Sequence, residues 1–198
     1  MTMPPEHAKA KAYLLEKGTQ APVAQIRERV ADAFAALDTL LDGVTESRAR
    51  RAPGGGEWSV HEILDHLVET HPRALEEMRA LLENRASPVS PIPAGLQSAD
   101  PTARRWDDLR GELRRLHADV LDVLAKAPDR MTEVRAPIIM VINTRQADGT
   151  VTPMQWIEEC DWKACAIVFR LHELDHLGQA RKMLRRPGPP IRPNRSRP

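Results

Sequence analysis

Two histidines one helical turn apart carry the clearest chemical signal in the sequence. His172 and His176 lie within the segment Leu171–Leu177, and on a helix their imidazoles stand on one side, about 6 Å apart. The same face carries the apolar side chains Trp162, Cys165, Phe169, Ala180 and Met183. Each buried imidazole must satisfy two ring nitrogens, and a shared metal ion satisfies one on each ring. The alternative is a pair of histidines that are hydrogen-bonded separately or exposed.

His66 is the candidate for a third ligand. It lies in the second turn of a helix whose start is marked by a capping box, in which Ser59 precedes Glu62 by three residues. A second-turn position lies near one end of a helical bundle, where a ligand can enter. With His172 and His176 it would form a three-histidine site with an open coordination position. Such a site can lower the pKa of a bound water or bind a thiol.

The other four histidines are predicted to have other roles. His61 falls in the first turn of its helix and is expected to face solvent. His71 directly precedes Pro72, where it is expected to pack or to form a hydrogen bond. His117 is expected on the polar flank of a later helix, and His7 lies in an N-terminal segment expected to fray.

The order His172-Glu173-x-x-His176 also matches the zinc-protease pattern, in which the glutamate is a general base. That pattern requires a third ligand downstream, and residues 177–198 contain no Glu, Asp or His. The extended form of the motif fails as well, because Gly178 comes one position early and Lys182 stands where a third histidine is needed. A protease of this class is therefore not predicted.

Three glutamates are candidates for hydrogen-bond acceptors behind the histidines. Glu173 follows His172 directly but points away from the histidine face. It is either a solvated residue, which is the favoured interpretation, or an acceptor for a ring N–H. Glu62 and Glu69 lie about one turn from His66 on either side and are comparable candidates.

Apolar periodicity predicts four long helices after a short leading helix. The expected ranges are 5–17 for the leading helix, then 22–41, 59 to beyond 78, 102–126, and 152–185 with a bend near 161. Pro72 is expected to kink its helix without ending it, because the apolar pattern resumes beyond it. Before the last helix, β-prone residues 134–143 and a turn signal at 147–150 predict a small hairpin, whereas the prolines of 86–101 predict a loop. This pattern is typical of an all-α bundle.

Composition indicates the number of domains and the cellular compartment. The 198 residues, 41% hydrophobic and 29% charged, fit one domain over residues 1–186. No apolar run is long enough to span a bilayer and no signal peptide is recognisable, so a cytoplasmic location is expected. Cys160 and Cys165 are expected to stay reduced, because a spacing of five does not bring two thiols together on a helix.

Positive charge is concentrated at the C-terminal end. From Arg181 onward there are seven Lys or Arg residues and no acid, although the net charge of the chain is only +1. The remainder is therefore mildly acidic, and no nucleic-acid partner is expected. Residues 187–198, rich in Pro and Arg, are expected to be disordered.

Two segments together resemble the DinB-like (YfiT-like) superfamily of metalloenzymes. The first, Gly56–Glu69, contains a Trp-Ser start to the second long helix at Trp58 and a His-Leu two turns later at His66. The second, Leu171–Ala180, contains the His-x-x-x-His pair and a trailing Gln179. These motifs occur in the order typical of the family, and the resemblance covers the whole four-helix layout.

The resemblance implies an up-down-down-up bundle in which His66, His172 and His176 hold a divalent metal ion, Zn²⁺ first, with Ni²⁺ or Fe²⁺ as alternatives. It also implies a small-molecule substrate and a homodimer. Some relatives are transferases or isomerases that use a low-molecular-weight thiol. The leading segment, the 86–101 loop and the hairpin depart from the simplest members and would shape the pocket mouth, so no substrate carries over.

Three functions remain open. The first is a metal-dependent enzyme, either a thiol-dependent S-transferase or isomerase or a hydrolase, with apolar pocket walls from Trp58, Trp156, Trp162 and Phe169. The second is a non-catalytic metal- or small-molecule-binding module of a stress response. The third is a dimeric interaction protein. Its seam would be the apolar stripe of Ile167, Leu171, Leu174 and Gly178, which could equally pack within the chain.

Overall fold

A computed structural model of the chain describes residues 5–51, 54–145 and 148–185. The C-terminal segment 187–198, expected to be disordered, lies outside the described residues. No helix in these ranges is both long enough and apolar enough to cross a lipid bilayer.

Helices account for most of the described chain. The helices are α1 (Pro5–Leu14), α2 (Val23–Leu41), α3 (Glu46–Ala49), α4 (Val60–Leu82), α5 (Trp106–Lys126) and α6 (Trp162–Arg185). A single π-helical turn, Leu15–Thr19, follows α1. Two antiparallel strands, β1 (Ala136–Arg145) and β2 (Val151–Cys160), form a hairpin before α6. The predicted all-α bundle with a leading helix and a hairpin is therefore confirmed, and the loop predicted before α4 contains one short helix, α3.

The four long helices form a ring in which α2 and α4 each pack against α5 and α6. Two hydrophobic clusters fill the two ends of this ring. One joins the early part of α2 to the late parts of α4 and α5 and the early part of α6, as shown by Val30, Met78, Val120 and Ile167. The other joins the late part of α2 to the early parts of α4 and α5 and the late part of α6, as shown by Leu37, Leu64, Leu109 and Leu177. The helices consequently run up, down, down and up.

The start of α4 follows its sequence signal. The Ser59 hydroxyl accepts a hydrogen bond from the Glu62 amide at 3.2 Å, and the Glu62 carboxylate accepts one from the Ser59 amide at 2.7 Å. Pro72 lies inside the helix, which continues for ten more residues to Leu82. The capping box and the continuation of the helix beyond Pro72 were both predicted.

The last helix begins ten residues later than predicted. The range 152–160 belongs to β2, where Pro153 pairs with Asn143 and Cys160 pairs with Ala136. Helix α6 starts after Asp161, whose carboxylate accepts hydrogen bonds from the amides of Lys163 at 2.9 Å and Ala164 at 3.0 Å. The bend expected near Asp161 is therefore the start of the helix, with Asp161 as its N-cap. The β-prone residues before it belong to the second strand of the hairpin.

The apolar stripe on α6 packs mostly within the chain. Ile167 is completely buried, and Leu171 and Leu174 lie against the two hydrophobic clusters. Cys160 and Cys165 are buried free thiols, as predicted. The expected reason was wrong, because Cys160 ends β2 whereas Cys165 lies in α6, and a hydrogen bond between the two side chains raises the pKa of the Cys165 thiol.

Candidate metal centre

Helices α4 and α6 bring His66, His172 and His176 together. The Nε2 atom of His172 lies 2.8 Å from that of His66 and 3.1 Å from that of His176. We call these three residues the histidine triad. It lies at the end of the bundle where α4 begins and α6 ends. Because Leu64 and Leu177 on the same helices belong to one hydrophobic cluster, the packing of that cluster fixes the distance between the two sides of the triad.

Hydrogen bonding alone cannot satisfy the three facing nitrogens. The Nε2 atom of His172 has one position in the plane of its ring, which holds either a proton or a lone pair. It can therefore donate to one neighbour or accept from one, while the structure places two imidazole nitrogens against it. A cation accepts all three lone pairs at once. A tetrahedral ion with bonds of about 2.0–2.1 Å sets its ligand nitrogens about 3.3 Å apart, close to the observed spacing.

The loop 86–101 determines which nitrogen of His66 faces the triad. The main-chain carbonyl oxygen of Leu96 lies 2.6 Å from His66 Nδ1, and it accepts the proton of that atom. The lone pair is then on Nε2, the atom that faces His172. This is the arrangement found behind metal-binding histidines, in which a carbonyl or carboxylate fixes the tautomer.

Two side chains of α4 and the loop hold this carbonyl in place. The buried carboxylate of Asp65 accepts hydrogen bonds from the Ser98 amide at 2.9 Å and from its hydroxyl at 2.8 Å. The Gln97 side chain donates to the main-chain oxygen of Glu62 at 3.1 Å. The loop has no regular secondary structure, but these contacts attach it to the first two turns of α4.

Burial keeps the triad imidazoles neutral, which is the form that binds a metal. Removal from water lowers the pKa of His66 below its ordinary value, although the Leu96 carbonyl works in the opposite direction. Removal from water also lowers the pKa of His176 to about 3 and that of His172 well below 6.5. His172 is the one triad residue that is only partly buried.

One aromatic residue lies beside the triad. The indole of Trp58 is centred 5.0 Å from the His66 ring and 6.1 Å from the His176 ring, nearly parallel to the latter. Of the four aromatic residues proposed as pocket walls, the structure places Trp58 here. Trp162 is completely buried and donates to the Arg130 carbonyl. Trp156 lies on the hairpin against His7 of α1, and Phe169 packs against His71 with ring centres 5.4 Å apart.

The three glutamates proposed as acceptors are engaged elsewhere. Glu62 caps its own helix, and Glu69 forms an ion pair with Arg104. Glu173 is completely buried, so its interpretation as a solvated residue was wrong. It faces His71 and His117 and does not support the triad. The acceptor behind His66 is instead the carbonyl of Leu96, for which a sequence carries no side-chain signal.

Two further histidines differ from their predicted positions. His61 is completely buried, because the loop before α5 passes over it. Its ring nitrogens lie 3.0 Å from the carbonyl oxygens of Pro101 and Arg104. His7 lies in α1, which is helical, and its ring contacts the carboxylate of Glu158 at 2.9 Å.

His71, His117 and Glu173 form a second cluster deeper in the bundle, which we call the inner cluster. His71 forms the predicted hydrogen bond, with its Nδ1 atom 2.7 Å from the Leu67 carbonyl oxygen. His117, expected on a polar flank, is 7% exposed and stacks on Phe34 with ring centres 3.8 Å apart. Burial opposes the ionisation of Glu173, but the neighbouring imidazoles outweigh it and hold the pKa of this carboxyl at about 2.

Comparison with known proteins identifies the family. The sequence model of the DinB superfamily matches residues 28–180. The fold is similar to that of YfiT from Bacillus subtilis, a probable metal-dependent hydrolase with an unusual four-helix bundle topology. The TM-score is 0.53 at 14% identity, over 92% of this chain and 88% of that chain. No curated protein matches the chain. Since the superfamily match extends over most of its length, this chain belongs to the DinB superfamily.

Proposed function

We propose that this protein is a metal-dependent hydrolase of small molecules, with its divalent metal ion, Zn²⁺ first, held by His66, His172 and His176. The observation that carries this proposal is the convergence of three imidazole Nε2 atoms from two helices at 2.8 and 3.1 Å. The fold similarity to YfiT, a probable metal-dependent hydrolase, supports the choice of reaction.

A divalent ion with three neutral protein ligands and an open position supplies a Lewis acid that lowers the pKa of a bound water from 15.7 to about 7. The protein contributes the rest. The Leu96 carbonyl orients His66, and burial keeps all three imidazoles unprotonated. The Trp58 indole offers an apolar surface for the body of a substrate, and the partly exposed side at His172 gives access.

The test compares metal-loaded and metal-free protein. After removal of metal with a chelator and reloading with Zn²⁺, hydrolysis is measured on a panel of small esters and amides. We expect activity to disappear on stripping, to return on reloading, and to fall by at least about a hundredfold in His176→Ala. His61→Gln changes a buried histidine outside the triad and is the control, which we expect to remain active.

Other outcomes decide between the remaining functions. Turnover of an electrophile only when a low-molecular-weight thiol is added would replace the hydrolase with a thiol-dependent transferase or isomerase. Stoichiometric metal without turnover on either panel would indicate a binding module. Hydrolysis that persists unchanged in His176→Ala would contradict the proposal.

The setting of the protein is part of the same proposal. The buried thiols of Cys160 and Cys165 suit a reducing compartment, and we place the protein in the cytoplasm. We further propose that it acts as a homodimer, as the family resemblance implies. Light scattering on the purified chain measures this, and a monomer mass would contradict it.

A further inference from the structure

The inner cluster places three metal-type ligands from three helices around one point. His71 comes from α4, His117 from α5 and Glu173 from α6, and their ligand atoms all lie within 4.8 Å of one another. The Nε2 atom of His117 is 3.1 Å from Glu173 Oε1, and that of His71 is 3.5 Å from Glu173 Oε2. The two imidazoles thus approach opposite oxygens of one carboxylate.

These groups are almost completely removed from water. Glu173 is 0% exposed and His71 is 1% exposed. Among the described residues, neither carboxylate oxygen and neither Nε2 atom has a hydrogen bond of acceptable geometry. At 3.1 Å the contact between His117 and Glu173 is short enough for a hydrogen bond, but no donor is aligned with either carboxylate oxygen. A carboxylate buried in this way is strongly unfavourable unless a positive charge compensates it.

The tautomer of His71 determines what faces the carboxylate of Glu173. The Leu67 carbonyl, 2.7 Å from Nδ1, accepts the proton of that nitrogen. In the neutral ring, the lone pair therefore lies on Nε2, directly opposite an oxygen of Glu173. Two acceptors then face each other, and the contact becomes favourable only when a proton or a metal ion lies between them.

We propose that the inner cluster is a second binding site for a divalent metal ion. Its ligands are the Nε2 atoms of His71 and His117 and the carboxylate of Glu173. Two imidazoles and one carboxylate form a donor set that suits Zn²⁺, Fe²⁺ or a similar ion.

The inner cluster lies next to the triad, on two of the same helices. The rings of His71 and His172 are centred 6.1 Å apart, and Glu173 follows His172 in the chain. Helices α4 and α6 therefore supply ligands to both sites. The carboxylate of Glu173 also offsets the positive charge that two neighbouring divalent ions would place inside the bundle.

The experiment counts Zn²⁺ ions per chain by mass spectrometry after loading with excess Zn²⁺ and desalting. We expect two equivalents in the unmodified protein and one in His117→Gln. His117 lies on α5, which supplies no ligand to the triad. The His117→Gln substitution therefore leaves the triad intact. His61→Gln changes another buried histidine, whose ring nitrogens lie 3.0 Å from two carbonyl oxygens. It is the matched control and should keep two Zn²⁺ ions.

A titration of the unmodified, metal-free protein with Co²⁺ gives a readout that does not depend on a variant folding. The absorption of bound Co²⁺ should saturate at two equivalents. Saturation at one equivalent would overturn the proposal, as would a His117→Gln protein that keeps two Zn²⁺ ions or loses both. In those cases the inner cluster is a network of contacts between two imidazoles and a carboxylate, without a metal ion. The variant His66→Ala removes a ligand of the triad. A loss of one metal ion in that variant alone would report on the triad and not on the inner cluster.

Discussion

The Nδ1 atom of His66 lies 2.6 Å from the main-chain carbonyl oxygen of Leu96, and this contact joins the loop 86–101 to the candidate metal centre. It fixes the tautomer and the orientation of the ligand that α4 contributes. A segment without helix or strand thereby acts as part of the site. The attachment of that loop to α4 should consequently influence metal affinity.

Asp65→Asn tests this connection. The substitution keeps the size of the side chain but removes its negative charge and replaces one of the two acceptor oxygens that hold Ser98 by an amide donor. We expect the metal dissociation constant to rise about tenfold, the usual effect of losing a group that orients a ligand. Competition with a chromophoric chelator measures it. Asp100→Asn, an exposed residue of the same region, is the control, and an equal change in both variants would refute the role of Asp65.

Trp58 should report metal binding by its fluorescence. Its indole is centred 5.0 Å from the ring of His66, within range of strong quenching by a paramagnetic ion. We expect Ni²⁺ to quench part of the tryptophan emission of the unmodified protein and to lose most of this effect in Trp58→Phe. Trp156→Phe changes a tryptophan on the hairpin and serves as the control. Quenching that survives in Trp58→Phe but not in Trp156→Phe would place the ion elsewhere.

Glu77 should make stability depend on pH. It is 2% exposed, and burial raises the pKa of its carboxyl above 4.5, although serine hydroxyls work in the opposite direction. The folded state therefore binds this proton more tightly than the unfolded state. That contribution to stability is present below about pH 4.5 and is lost as the pH rises through the raised value.

Glu77→Gln removes this titration. The free energy of unfolding of the variant, relative to the unmodified protein, should increase between about pH 4 and pH 7. Urea denaturation in the presence of a chelator measures the difference. Glu76→Gln removes an exposed carboxylate from the same helix and is the matched control. A flat difference for Glu77→Gln would contradict the assignment.

Asp161 should be a strong determinant of α6. Its buried carboxylate accepts hydrogen bonds from the amides of Lys163 and Ala164 at the start of the helix that carries His172 and His176. We expect Asp161→Ala to lower the free energy of unfolding by about 2 kcal/mol, the upper end for an N-cap. The matched variant Asp107→Ala, at an exposed first-turn position of α5, should cost less than about 1 kcal/mol. Similar losses in both would argue against the cap.

The sequence predicted those features that depend on local order. The spacing of His172 and His176, the capping box at Ser59 and the apolar periods of the long helices are all local, and each agrees with the structure. The start of α6 was misplaced because Thr152-Pro153 resembles a helix start. The alternation that makes 151–160 a strand becomes decisive only when β1 pairs with it.

The inner cluster was missed although part of its signal is local. Glu173 lies one helical turn after Phe169, and His117 lies one turn after Leu113, so both residues interrupt apolar stripes. That the packing of α4, α5 and α6 brings them to one point is a tertiary feature, which no short segment encodes. The burial of His61 depends in the same way on the loop that passes over it and supplies the carbonyls of Pro101 and Arg104.

The most direct test of the central claim is anomalous X-ray scattering from crystals of the Zn²⁺-loaded protein at the zinc absorption edge. We predict a peak bonded to the Nε2 atoms of His66, His172 and His176 at about 2.0–2.1 Å. A fully loaded crystal with no anomalous density between these three imidazoles would contradict the account.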